Sequence, residues 1–357
     1  MVMSRFRGGL CWVCTHILVL SLIACQAEQS NRLPAAELKF SPEIKSVHAI
    51  AWLPTGYVIN DDRERLWYFD NADGQWAQLS LEKDSQCSAI RYNRLSVLPD
   101  GRLGINQDCN GYWPERSGWR VNTIESILAY DISLKHTDTL AYDVPKCVET
   151  SWHHTFERGI CDTVGSFSTL YWLTSTMVTP VDLTLSDGEK AWYLPDSVQA
   201  EEQYDPYLDR DEPILVGDVG SPTWSPNDTQ IAFWATLEPI GRPLEIFQEH
   251  NWNLYIVEVA TMQVKTLLVD MWQPRRLRWS PDGEHLAFIQ PLKSGNSDRL
   301  KLLSLKTLEV TEVADGHFED MVWSPDGSQL LTKLCVDDVC KETELWIYDV
   351  NELLQAH

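Results

Sequence analysis

One phrase occurs three times in this chain, and it limits the folds available more than any other feature. Trp224-Ser-Pro-Asn-Asp-Thr-Gln-Ile-Ala-Phe233 returns as Trp279-Ser-Pro-Asp-Gly-Glu-His-Leu-Ala-Phe288 and again as Trp323-Ser-Pro-Asp-Gly-Ser-Gln-Leu-Leu-Thr332. Each copy reads as a strand ending on an aromatic, a tight turn and a second strand. Proline presets φ near −65° in such a turn, and Asp-Gly supplies the residue of positive φ that closes it. The tryptophans stand roughly 40–55 residues apart, the period of a multi-stranded propeller blade.

Two weaker copies precede these three. Ala51-Trp52-Leu53-Pro54-Thr55-Gly56 is followed by strand-like Leu66–Asp70 and Trp76–Leu79, and Leu95–Ile105 retains Pro99-Asp100-Gly101 ahead of Ser126–Asp131 and Thr137–Tyr142. Short apolar runs between turn clusters are strand signals, and no segment sustains a capped 3.6-residue period. A blade between about Cys147 and Leu194 completes the count, with Thr169–Thr174 as an inner strand and Ser186–Gly188 as a turn. The expected fold is all-β: a six-bladed β-propeller of four-stranded antiparallel blades, the N-terminal segment pairing with the last blade to close the ring.

The Trp-Ser-Pro-Asp-Gly-x-x-Leu-Ala-Phe phrase resembles the repeat of TolB-type propellers, which are related in style to WD repeats, over roughly residues 46–350. It is also similar to the propeller domain of prolyl-oligopeptidase-like enzymes. This resemblance implies a fold; one superfold hosts many functions. Recurrence of the tryptophans at one blade position assigns them to packing between blades, where large aromatics bury the most area.

Residues 1–24 read differently from the rest. Arg5 and Arg7 precede an uncharged apolar stretch from Gly8 to Ala24, short for a spanning helix and suited to a secretory signal. It ends in Leu22-Ile23-Ala24-Cys25, which resembles the bacterial lipoprotein signal, with Ile23 looser than the small residue usual there. The resemblance implies cleavage before Cys25 and lipidation of its thiol, a flexible tether over 25–45 and a propeller over 46–357. The implied location is the exported cell envelope, held to a membrane by the N-terminal lipid. With Cys11 and Cys14 removed and Cys25 lipidated, six cysteines remain, an even number suited to disulfides in an exported chain. Sequence proximity favours Cys87–Cys109, Cys147–Cys161 and Cys335–Cys340.

A net charge of −23 opposes nucleic-acid binding, which needs a basic footprint. No Gly-x-Ser-x-Gly elbow, phosphate-binding glycine loop, His-Glu-x-x-His or EF-hand is present, so no catalytic residue, cofactor or metal site is assigned. Three stretches stand out. His153-His154, with Glu157, Arg158 and Asp162 nearby, offers metal or acid–base groups, but neighbours in a strand face opposite ways, so the pair is expected to be ordinary histidines. The connection Asp108–Trp119 carries Tyr112, Trp113 and Trp119, a possible binding loop. Glu201–Glu212 is acidic and matches no calcium-loop spacing, as a solvated loop would.

The expected function is a lipid-anchored propeller that binds a protein or envelope polymer through one end of its axial funnel, without catalysis. The alternative is a propeller enzyme acting on glycans, a hydrolase or metal-assisted lyase, with acidic residues in the funnel. Two carboxylates about 5–9 Å apart there mark glycoside hydrolysis; a funnel poor in carboxylates marks binding.

Overall fold

The computed structural model describes residues 35–40, 43–81, 87–111, 122–142, 147–156, 158–163, 170–173, 178–180, 184–186, 191–193, 215–216, 219–236, 238–239, 251–261, 263–293, 295, 297–337 and 340–355. The candidates Cys25, Tyr112, Trp113, Trp119, Glu157 and the acidic stretch 201–212 lie outside these residues.

The chain begins with β1 (Ala35–Leu38) and then lays down blades in order. Blade 1 is β2 (Val47–Leu53), β3 (Gly56–Asp61), β4 (Leu66–Asp70) and β5 (Gln75–Leu79). Blade 2 is β6 (Cys87–Val97), β7 (Leu103–Gly111), β8 (Asn122–Asp131) and β9 (His136–Tyr142). Blade 3 is β10 (Cys147–Trp152), β11 (Gly159–Thr163), β12 (Leu170–Leu173) and β13 (Val178–Pro180). A separate hairpin, β14 (Thr184–Ser186) with β15 (Ala191–Tyr193), and a short pair, β16 (Leu215–Val216) with β19 (Glu238–Pro239), flank blade 4. Blade 4 itself is β17 (Val219–Trp224), β18 (Gln230–Ala235), β20 (Asn251–Glu258) and β21 (Gln263–Trp272). Blade 5 is β22 (Arg275–Trp279), β23 (His285–Pro291), β24 (Asp298–Ser304) and β25 (Val310–Gly316).

Blade 6 has only three strands of its own: β26 (Phe318–Trp323), β27 (Gln329–Cys335) and β28 (Thr343–Asp349). β1 pairs antiparallel with β28, Ala36 opposite Ile347, and supplies the fourth. Residues 35–38, inside the stretch read as tether, therefore close the ring. Closure covers an edge that would otherwise present unpaired backbone groups. A six-residue helix, α1 (Val350–Gln355), follows. Asp349 caps it, accepting from the backbone of Asn351 and Glu352 at 2.9 and 3.1 Å.

Five apolar cores fill the six junctions between blades. Blades 4, 5 and 6 meet through Trp234, Phe288 and Met321, blades 3 and 4 through Ile160 and Phe233, and blades 1 and 2 through Val58 and Ile105. Leu331 and Leu345 meet Ile50 and Ile59 across the closure, and Ile127 meets Trp152 between blades 2 and 3. Burying each such side chain contributes about 1.5–3 kcal/mol. Inner strands covered on both faces read as continuous apolar runs, as in β2 and β3, where alternation disappears.

Blade 3 differs from the sequence reading. Thr169–Thr174 was expected to hold an inner strand; the strand there, β12, is third in the blade, and the inner strand is β10. Ser186 ends β14 in the separate hairpin, outside the blade sheet. The reason is local: Trp152 occupies the blade tryptophan position, but His153-His154-Thr155-Phe156 replaces Ser-Pro-Asp-Gly. The turn is nonetheless the same. His153 N donates to Arg158 O and Phe156 N to His153 O, as Ser280 N does to His285 O and Gly283 N to Ser280 O. Phe156 takes the positive φ of 57° that Gly283 takes at 75°.

Disulfides join Cys87 to Cys109 and Cys335 to Cys340, with Cα atoms 5.3 and 4.7 Å apart. Cys161 is also disulfide-bonded; the side chain of Cys147, its expected partner, is outside the described residues. Such bonds place the chain in an oxidising, exported compartment.

Candidate functional site

The first strands of the six blades stand around the axis: β2 beside β6, β6 beside β10, β10 beside β17, β17 beside β22, β22 beside β26, and β26 beside β2. Each breaks register with its neighbour through a bulge, between Val47 and Ala49, Tyr92 and Arg94, Cys147 and Glu149, Gly220 and Thr223, Arg275 and Arg278, and Phe318 and Asp320. Bulges re-aim side chains out of the pleat, and here they bring charged residues of different blades together.

Glu149 is the centre of this cluster. One carboxylate oxygen accepts from Arg276 Nη1 and the other from Arg278 Nη1, both at 2.6 Å. Asp320 lies 3.8 Å from each guanidinium. Arg276 also donates Nε to Glu319 O at 2.9 Å and its backbone N to Ser221 Oγ at 3.0 Å. Both Ser221 and Arg276 hold positive φ, 53° and 56°, a strain that persists only where surrounding contacts over-determine it. Burial alone would raise the Glu149 pKa; the two arginines outweigh it and bring it to about 2. Asp162 sits behind, accepting Glu149 N at 2.8 Å and Ser221 N at 3.0 Å, so it ties blade 3 to blade 4. Burial, then the charge of Glu149, pushes Asp162 up to about 7. Burial lowers the pKa of Arg94 and of Lys333, whose Nζ donates to His48 O at 3.2 Å.

Toward the turn end, the axis opens into a cavity of about 490 Å³. Arg94, Glu149 and Arg278 contribute to its lining; Pro54, Pro99, Pro226, Pro281 and Pro325, all exposed, stand with it at the tight turns of five blades. His154 takes the corresponding place in blade 3. The blade tryptophans form the wall behind. Trp279 Nε1 donates to Thr223 O at 3.0 Å and Trp323 Nε1 to Arg278 O at 3.3 Å, each reaching the residue before the tryptophan of the previous blade. Their expected role in packing between blades is what the contacts show. The ladder stops at blades 3 and 4, where the buried Nε1 atoms of Trp152 and Trp224 have no hydrogen-bond partner.

The expectation that His153 and His154 face opposite ways is corrected. β10 ends at Trp152, so both histidines lie in a turn rather than a strand, and their rings stack at 4.6 Å. His154 Nδ1 contacts Asp228 Oδ2, and its backbone N donates to Asp228 Oδ1 at 3.0 Å. Asp162, grouped with the pair in the sequence reading, belongs instead to the Glu149 cluster. Arg158 stacks over Trp172, 4.9 Å from the ring centre. Asp108–Gly111, read as the start of a loop, form the end of β7.

Sequence reasoning passed over Arg94, Glu149, Arg276, Arg278, Asp320 and Lys333. A signal was available: Arg275-Arg276-Leu277-Arg278 runs straight into a blade tryptophan, and charges in an inner strand must be paired when buried. Among the described lining residues, Glu149 and Asp228 are the only carboxylates, the first neutralised by two arginines and the second bound to His154.

No family model and no curated protein matches the chain. Solved structures do. A TolB-type structure from Agrobacterium tumefaciens superposes with a TM-score of 0.50 at 13% identity, covering 85% of this chain and 90% of that one. TolB from Acinetobacter baumannii gives 0.47 at 12%, covering 84% of this chain; the chain spans only 62% of that protein's length. An oligogalacturonate lyase from Vibrio parahaemolyticus gives 0.47 at 10%, with 83% and 74% covered. At these identities the likeness concerns architecture, and the chain has the fold of a TolB-type six-bladed propeller.

Proposed function

We propose that this chain is a lipid-anchored binding module of the cell envelope that holds a protein or envelope polymer at the turn end of its axis. The observation that carries this reading is the composition of the 490 Å³ cavity: prolines and tryptophans around it and, among the described lining residues, no uncommitted pair of carboxylates. Apolar walls with a few placed polar groups suit a bound segment. A glycosidase needs two carboxylates free to act as acid and base or nucleophile, and both lining carboxylates are engaged. The disulfides agree with export; anchoring through Cys25 rests on the Leu22-Ile23-Ala24-Cys25 resemblance.

One capture experiment tests both parts. The full-length protein is crosslinked in its native envelope and recovered as wild type, Val97→Glu and Cys25→Ser. Val97 lines the cavity and is 41% exposed, so a carboxylate there changes the mouth without disturbing the core. Wild type is expected to carry a stoichiometric partner and Val97→Glu to lose it, with the same melting temperature. Cys25→Ser is expected to leave the membrane fraction. Capture that is indifferent to Val97→Glu argues against the binding mouth, and a Cys25→Ser protein that stays with the membrane argues against the lipid.

A further inference from the structure

Three of the ways in which this chain departs from its own repeat converge on one spot. In blades 5 and 6 the turn after the tryptophan reads Ser-Pro-Asp-Gly, at 280–283 and 324–327. In blade 3, His153 stands at the Ser position and His154 at the Pro position; in blade 4, Asp228 stands at the Gly position. Glycine suits that place because its φ is positive, 84° at Gly101, 75° at Gly283 and 73° at Gly327. Asp228 holds the same conformation at 56°, where a side chain is disfavoured. The register explains what it meets. A Cβ on Gly283 would face Pro226 of the preceding blade, and one on Gly327 would face Pro281; by the same geometry Asp228 faces His154.

We propose that His153, His154 and Asp228 form a zinc site on the rim of the funnel. One donor atom from each residue lies within 4.8 Å of the other two. Two imidazoles and one carboxylate are a donor set for Zn²⁺, bound at about 2.0–2.2 Å, and three protein ligands leave a fourth position open. The burial fits: the Asp228 side chain is 11% exposed and held, while that of His154 is 63% exposed, so the open position faces the cavity mouth. The site is also braced. Trp224 meets the His153 ring edge-on at 5.3 Å and 82°. Thr155 fixes the His153 ring from its Nδ1 side, with its hydroxyl 2.9 Å and its backbone N 3.2 Å from that atom, the kind of outer contact that orients metal-bound histidines. The His154 backbone N–H, which the prolines of other blades lack, holds Asp228 Oδ1, while Oδ2 meets His154 Nδ1, so the metal would enter between those two atoms in place of the proton they share.

The test is a Zn²⁺ titration of the full-length protein in detergent, against a chromophoric chelator and by calorimetry, after stripping with EDTA. Wild type is expected to bind one equivalent. Asp228→Gly restores the repeat's own residue at a positive-φ position, so it should fold with an unchanged or higher melting temperature while binding Zn²⁺ at least about tenfold more weakly. His154→Ala should do the same to binding. His136→Ala, which removes an exposed histidine 3.1 Å from Asp138 on another blade, should leave it unchanged. Absence of a stoichiometric site, or binding that survives Asp228→Gly, overturns the proposal and reduces Asp228 to a tie between two turns.

Discussion

Replacing Glu149 with glutamine is expected to cost about 3–5 kcal/mol of stability, because it takes from two buried guanidinium groups the one carboxylate bonded to both and leaves them only the more distant Asp320. The side chain is nearly isosteric, so packing is preserved and the loss reports on charge alone. It should be read as a fall in the denaturant midpoint at unchanged m-value; a midpoint within experimental error of wild type would show that Asp320 suffices to hold Arg276 and Arg278. The same carboxylate predicts an acid limit. Its folded pKa, about 2, lies below the unfolded value, so its contribution is complete above about pH 4.5. It is lost as pH falls toward 2. Asp162 has the opposite sign. With a folded pKa of about 7, it keeps in the native state a proton that the unfolded chain has released, so stability declines as pH rises from about 4 to 7. Glu149→Gln should flatten the first limb and also weaken the second, since the Glu149 charge is part of what raises Asp162.

Trp279→Ala is expected to destabilise by about 3–5 kcal/mol, the range for removing a buried large aromatic that the surroundings cannot refill. Trp279 is in the core that joins blades 4, 5 and 6, so the loss is felt across two junctions. Phenylalanine variants separate area from hydrogen bonding. Trp279→Phe forfeits the bond to Thr223 O, whereas Trp224→Phe forfeits none, because its Nε1 has no partner. Thermal or denaturant unfolding should therefore show Trp279→Phe as the costlier of the two by about 1 kcal/mol. Equal costs, or the reverse order, would mean that the inter-blade ladder adds nothing to packing.

The fold was legible because turn chemistry is local. Pro-Asp-Gly after a tryptophan states where one strand ends and the next begins, and the spacing of the copies states the blade. The strand order of blade 3 escaped, though its place in the chain did not, because His153-His154-Thr155-Phe156 makes the same hydrogen-bonded turn without proline or glycine; only the tryptophan at 152 remained as a mark. The short helix after Asp349 escaped for a similar reason, although Asp349 three residues before Glu352 is a capping signal. The axial cluster was hidden by something else. Glu149 and Arg276 come together across 127 residues of sequence, at bulges that no alternation pattern announces. The His–Asp contact needed both the turn in blade 3 and the ring order that sets blade 4 beside it. What the repeat did contain was the position of each departure from itself, and those departures now mark the rim.

The proposed binding makes the turn end of the axis the working end of the molecule. Site-specific photocrosslinking in the native envelope tests this, with the reactive residue placed at Pro281 on the rim or at Val269, 61% exposed on the outer strand β21. A discrete adduct from Pro281 and none from Val269 is the predicted result. No adduct from Pro281, or equal labelling from both positions, would contradict it.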